Sequence, residues 1–217
     1  MGIFIPTFFI IVIFYRLQYK LLLLCATGLF EFIPTHLCNP LDLPNRINFY
    51  IANRPPLDNY PALRELRGLA SGELAHIVKH TSNHWRKVFN VYAKLLFDWY
   101  QLNKRPDLPH SWQVYRDQEL FQSHSQEALL FSPPEFNLNA FTTDTFTAAD
   151  STAHNTSAIH IIAGKTYAAR LSLPPLVWLD THFALNQQYR LIVAPYPDYR
   201  QLSNERIAQL IRLMASL

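Results

Sequence analysis

Four loops hold residues whose types could do chemistry: Asn53-Arg54-Pro55-Pro56, Ser132-Pro133-Pro134, Gly164-Lys165-Thr166 and Pro195-Tyr196-Pro197-Asp198. A side-chain amide can orient a water. A phenol can donate one hydrogen bond to developing negative charge, and cations can face phosphate. Gly164-Lys165-Thr166 has the context of a phosphate-binding loop, but the pattern needs a glycine where Ile159 stands, so Gly164 is read as allowing close strand-to-helix packing. His76, His80 and His84 lie four apart, the spacing at which helical histidines share a face and can hold zinc. Lys79 in the same run favours a solvated or nucleic-acid-facing helix end over a metal site. Asn155-Thr156-Ser157 fits a glycosylation acceptor, relevant only in a secretory lumen. The chain has no Gly-x-Ser-x-Gly setting, so a hydrolase-type serine nucleophile has no support.

Each of these loops follows a strand-like run. The runs are 47–52 (INFYIA), 128–131 (ALLF), 158–163 (AIHIIA) and 189–194 (YRLIVA). They are short, apolar and weakly alternating, as strands buried on both faces of a parallel sheet are. Ligands of such sheets bind outside the carboxyl ends of the strands, which is where the four loops fall. Between the runs, Tyr60 to Leu69 has short helical periodicity, and Trp112 to Phe121 reads as a further helix. A stronger helix, capped by Thr81 or Ser82, carries Trp85, Val88, Phe89, Tyr92, Leu96 and Trp99 on one face, a stripe typical of core. Asn103 to His110 is a breaker, and Pro133 to Ser157 a long polar loop. A short helix runs from Gly164 to Arg170. The last helix is capped by Ser203 or Asn204 and buries Ile207, Leu210, Ile211 and Met214. The expected architecture is α/β: a three-layer α/β/α domain with a four-stranded parallel sheet in order 2-1-3-4.

Composition sets wider bounds. With 217 residues, 14% aromatic and 16% charged, the chain can bury a full core, and disorder is excluded as its general state. A formal charge of +3 permits an anionic partner without requiring one. Cys25 and Cys38 are the only cysteines, so the rest of the chain offers neither disulfide nor thiolate metal site and fits a reducing compartment. Residues 3–15 and 21–30 are strongly apolar, yet neither run reaches the roughly 20 residues of a spanning helix. No positive charge precedes them as in a signal peptide. Residues 1–42 are therefore read as an apolar segment apart from the domain at 43–217: an upstream start, a weak membrane anchor, or a buried hairpin or helix.

The loops, taken in order, resemble those of the uracil-DNA glycosylase superfamily, most closely its mismatch-specific branch, over residues 47–217. Ile51-Ala52-Asn53-Arg54-Pro55 stands where that family has a motif like Gly-Ile-Asn-Pro-Gly. The segment from His80 through Asn83-His84-Trp85 to Val88 resembles the family's His-Pro-Gly-Asn-Arg-Phe-Trp helix start. Ala163-Gly164-Lys165-Thr166-Tyr167-Ala168 is similar to its Leu-Gly-Lys-x-Ala pattern, and Pro195-Tyr196-Pro197-Asp198-Tyr199-Arg200 to its His-Pro-Ser or Asn-Pro-Ser loop. Such enzymes expose a base from the stack and grip it in a pocket.

The resemblance implies that Asn53 holds the attacking water and Tyr196 faces the departing base, with Arg54, Asn83, Lys165, Asp198 and Arg200 toward nucleic acid. It implies DNA as a partner; no cofactor or metal is expected, and the chain is read as a cytoplasmic monomer, with membrane contact through residues 3–30 the less favoured alternative. The functional expectation is a divergent protein that recognises or excises a base. The alternatives are a non-catalytic binding module of the same fold, or an unrelated α/β domain held at a membrane by its N-terminus.

Overall fold

A computed structural model describes residues 46–136 and 158–217. The expectations about residues 1–42, the glycosylation acceptor and most of the long polar loop lie outside these residues. Within them the protein is α/β. Four strands, β1 (Ile47–Tyr50), β2 (Glu127–Leu130), β3 (Ile159–Ala163) and β6 (Leu191–Ala194), run parallel in the order β2-β1-β3-β6. Their side chains are buried almost throughout, which is why the runs show so little alternation.

The sheet is not the four-stranded parallel one expected. Two further strands, β4 (Val177–Trp178) and β5 (Ala184–Asn186), extend it antiparallel from β6, giving a six-stranded mixed sheet. With two and three residues they are too short to leave a periodic signal. The other apolar runs overreach their strands by one or two residues, as at Ile51, Phe131 and Ala158.

Helices α1 (Glu73–His80), α2 (Asn83–Leu102), α3 (Trp112–Gln118) and α5 (Asn204–Ala215) build the larger core. Trp85, Val88, Phe89, Tyr92 and Leu96 of α2 join Ile207, Leu210 and Met214 of α5 against Ile47, Phe49, Ile159, Ile161 and Ile192. Ser203 caps α5, its hydroxyl accepting from the Arg206 amide. Trp85 is 2% exposed and touches both Phe89 and Phe131, so its truncation would remove about 3–5 kcal/mol. On the opposite face, among the described residues, lie the four-residue helix α4 (Lys165–Ala168) and Leu171, Leu173, Leu176, Phe136 and Tyr189 from irregular chain.

Two helical expectations change. The periodicity at Tyr60 to Leu69 yields one 3₁₀ turn at Tyr60–Ala62, after which Leu69 bridges to Gln122. The three histidines do not share a helix. α1 ends at His80, where the Thr81 hydroxyl donates to the Ile77 carbonyl at 2.6 Å, and α2 starts after Ser82. His76 and His80 remain neighbours, their ring centres 4.5 Å apart, while His84 belongs to α2.

Candidate functional site

Because β1, β3 and β6 are parallel, the loops that follow them emerge at one edge of the sheet. Asn53 follows β1, Gly164 follows β3 and Tyr196 follows β6. Gly164 adopts φ +105°, a backbone that residues with a Cβ rarely take. A Cβ there would meet only the Tyr196 ring, at 3.7 Å, an ordinary contact. Backbone conformation, not close packing, therefore calls for glycine at this turn.

Tyr196 is the centre of the cluster. Its hydroxyl lies 2.8 Å from His84 Nε2, and its ring stacks on the imidazole at 5.5 Å. Asn53 acts on the same hydroxyl from the loop after β1. Burial raises the Tyr196 pKa, Asn53 opposes that rise, and the Asp198 charge adds to it. Burial lowers the pKa of His84, Asp198 opposes that and Lys87 reinforces it, which favours a neutral imidazole. The His84 tautomer then sets what Tyr196 offers a ligand. With the proton on Nε2, His84 donates and the phenol proton points outward. With the proton on Nδ1, the phenol donates to His84 and no proton remains for a ligand.

Asp198 holds the outer rim. Its Oδ2 lies 3.6 Å from Lys87 Nζ, and its Oδ1 accepts from the Arg200 amide at 2.9 Å. Lys87 and Arg200 also sit over the Tyr199 ring, at 5.0 and 5.7 Å. Lys165 lies 4.4 Å from the centre of the Trp178 ring.

Of the residues singled out in the sequence, Asn53 and Asp198 thus both act on Tyr196. Arg54 is drawn elsewhere: its Nη1 donates to the Leu63 carbonyl at 2.5 Å and the guanidinium lies over Phe131. Asn83 accepts from Arg86 at 2.7 Å on the exposed first turn of α2. His84 and Lys87 had no role assigned at Tyr196 or Asp198. The one local sign was their place beside Trp85, on the helix start that carries part of the family resemblance. Among the described residues no group of three or more His, Cys, Asp or Glu could hold a metal ion. No described helix is long and apolar enough to cross a membrane.

A family model matches residues 42–215. The chain belongs to DUF6942, a family of unknown function. No curated protein and no solved structure matches it. The DUF6942 match includes Asn53, His84, Lys87, Tyr196 and Asp198 together with every described strand and helix.

Proposed function

We propose that this DUF6942 protein recognises a base in nucleic acid at the strand-end cluster, as a divergent uracil-DNA glycosylase-like protein. The observation that carries the reading is the meeting of Asn53, Tyr196 and His84 at the carboxyl edge of the parallel strands, with Lys87 beside them. The Asn53 amide can orient a water. The Tyr196 hydroxyl can donate to a departing base when His84 donates to it. Lys87 pairs with Asp198 and so reduces the repulsion a phosphate would meet at that carboxylate.

The test is base release, with binding measured in parallel, on oligonucleotides containing uracil, hypoxanthine or a mismatch. Asn53→Ala should abolish release and leave binding nearly unchanged. Tyr196→Phe should slow release roughly ten- to a thousandfold, the range for losing one charge-stabilising donor. Absence of base-dependent binding by the wild-type protein would overturn the reading. The engagement of the Tyr196 hydroxyl by both His84 and Asn53 favours a second reading, a binding module without excision. Base-dependent binding with no release on any substrate would identify it.

A further inference from the structure

Beside the strand-end cluster is a cavity of about 170 Å³, lined by Lys165, Thr181, His182, Pro195, Arg200, Gln201 and Arg206. Three of the seven are cations, and none is a carboxylate. Among the described residues, none of the three cations forms an ion pair. The two nearby carboxylates are turned to other partners. Asp180 accepts from the His182 and Phe183 amides at 2.6 and 2.8 Å and from Gln209 at 2.8 Å. Asp198 is taken by Lys87 and the Arg200 amide.

Arg206 is fixed in place rather than free on the surface. Its Nη1 donates to the Gln201 carbonyl at 2.5 Å and its Nη2 contacts His182 Nε2 at 2.8 Å. A guanidinium has no acceptor, so Nε2 must accept and the ring proton sits on Nδ1. His182 therefore offers a donor, as do the Thr181 hydroxyl and the Gln201 amide. A cavity whose side chains supply positive charge and hydrogen-bond donors without a carboxylate suits a compact polyanion.

We infer that this cavity binds a phosphate group. Two sources share that chemistry, a backbone phosphodiester of nucleic acid and a free phosphate compound such as a mononucleotide. Its position next to Tyr196, through the intervening Pro195, favours the first, since a strand whose base lies at the cluster would pass its backbone over the cavity. The phosphate site does not require the base-recognition reading to hold.

The experiment titrates a single-stranded oligonucleotide at several salt concentrations, with inorganic phosphate and a 5′-mononucleotide followed by phosphorus NMR. Arg206→Ala and the double variant Lys165→Ala/Arg200→Ala should each weaken oligonucleotide binding tenfold or more. The double variant should also flatten the logarithmic salt dependence by about 0.7, the share of the one phosphate that is no longer neutralised. The second variant matters because Lys165 and Arg200 are exposed, whereas Arg206 holds local structure; its unfolding transition verifies that it folds. An unchanged salt slope, with a phosphorus signal from phosphate or mononucleotide that both variants abolish, would assign the site to a free compound. Ligand responses that neither variant alters, or no response at all, would overturn the inference. Asn53→Ala separates the two proposals: it should abolish any base release and leave phosphate binding intact.

Discussion

Two hydrogen-bonded clusters in this protein use similar residue types and differ in what surrounds them. Glu127 on β2 is 4% exposed and accepts from the Tyr100 hydroxyl at 2.8 Å, the Tyr115 hydroxyl at 2.7 Å and the Phe121 amide at 3.3 Å. Burial raises its pKa, and the three donors work against that rise. At the strand ends, Tyr196 and His84 are only half-buried, Asn53 is exposed, and Asp198 leans on a lysine. Buried polar groups that satisfy one another specify a core and offer nothing to a ligand. A tyrosine between two partners at an open edge keeps a tautomer-dependent choice for a third. Burial and openness therefore separate a structural carboxylate–tyrosine set from a candidate binding site.

The sharpest way to break this contrast is Glu127→Ala. It strands two buried hydroxyls and an amide, and should cost about 3–5 kcal/mol in denaturant unfolding. A loss under about 1 kcal/mol would place Glu127 with the open cluster.

Next in size is a pH effect from His160, a buried histidine whose Nδ1 lies 2.9 Å from the Tyr50 hydroxyl. Burial, with a smaller contribution from Arg190, lowers its pKa from 6.5 to about 4. The unfolded chain then binds a proton that the folded one refuses. The stability His160 contributes is present above pH 6.5 and lost as pH falls through about 4. The loss should reach about 3 kcal/mol. The raised pKa of Glu127 acts in the opposite direction, so the measurement is the difference between wild type and His160→Gln across that range. Parallel pH curves for the two proteins would refute the prediction.

Tyr196→Phe should change folding stability by under about 1 kcal/mol, because water can replace the partners of a half-buried hydroxyl. A larger loss would make the strand-end cluster as structural as the Glu127 set. The smallest expected effect is that of Asp198→Ser. Freeing Lys87 and removing a negative charge should strengthen nucleic-acid binding a few-fold at low salt, and the gain should shrink as salt rises. A gain insensitive to salt would point to a cause other than charge.

Much of this was legible in the chain where the signal is local. The apolar runs ending near Tyr50, Leu130, Ala163 and Ala194 revealed four parallel strands, because burial on both faces suppresses alternation. Helical periodicity located α2 and α5, since one face of each must meet the sheet. The same strand ends pointed to Asn53 and Tyr196. Tertiary structure alone decided the rest. β4 and β5 are held by neighbours, not by a pattern of their own. Tyr196 meets His84 across 112 positions, and Asp198 meets Lys87 on the same helix. Glu127, a charge that reads as surface, is buried because two tyrosines from α2 and α3 close over it. Periodicity reports which face of an element is buried; it does not report which distant side chain will stand opposite, and that pairing is what makes one polar cluster closed and the other open.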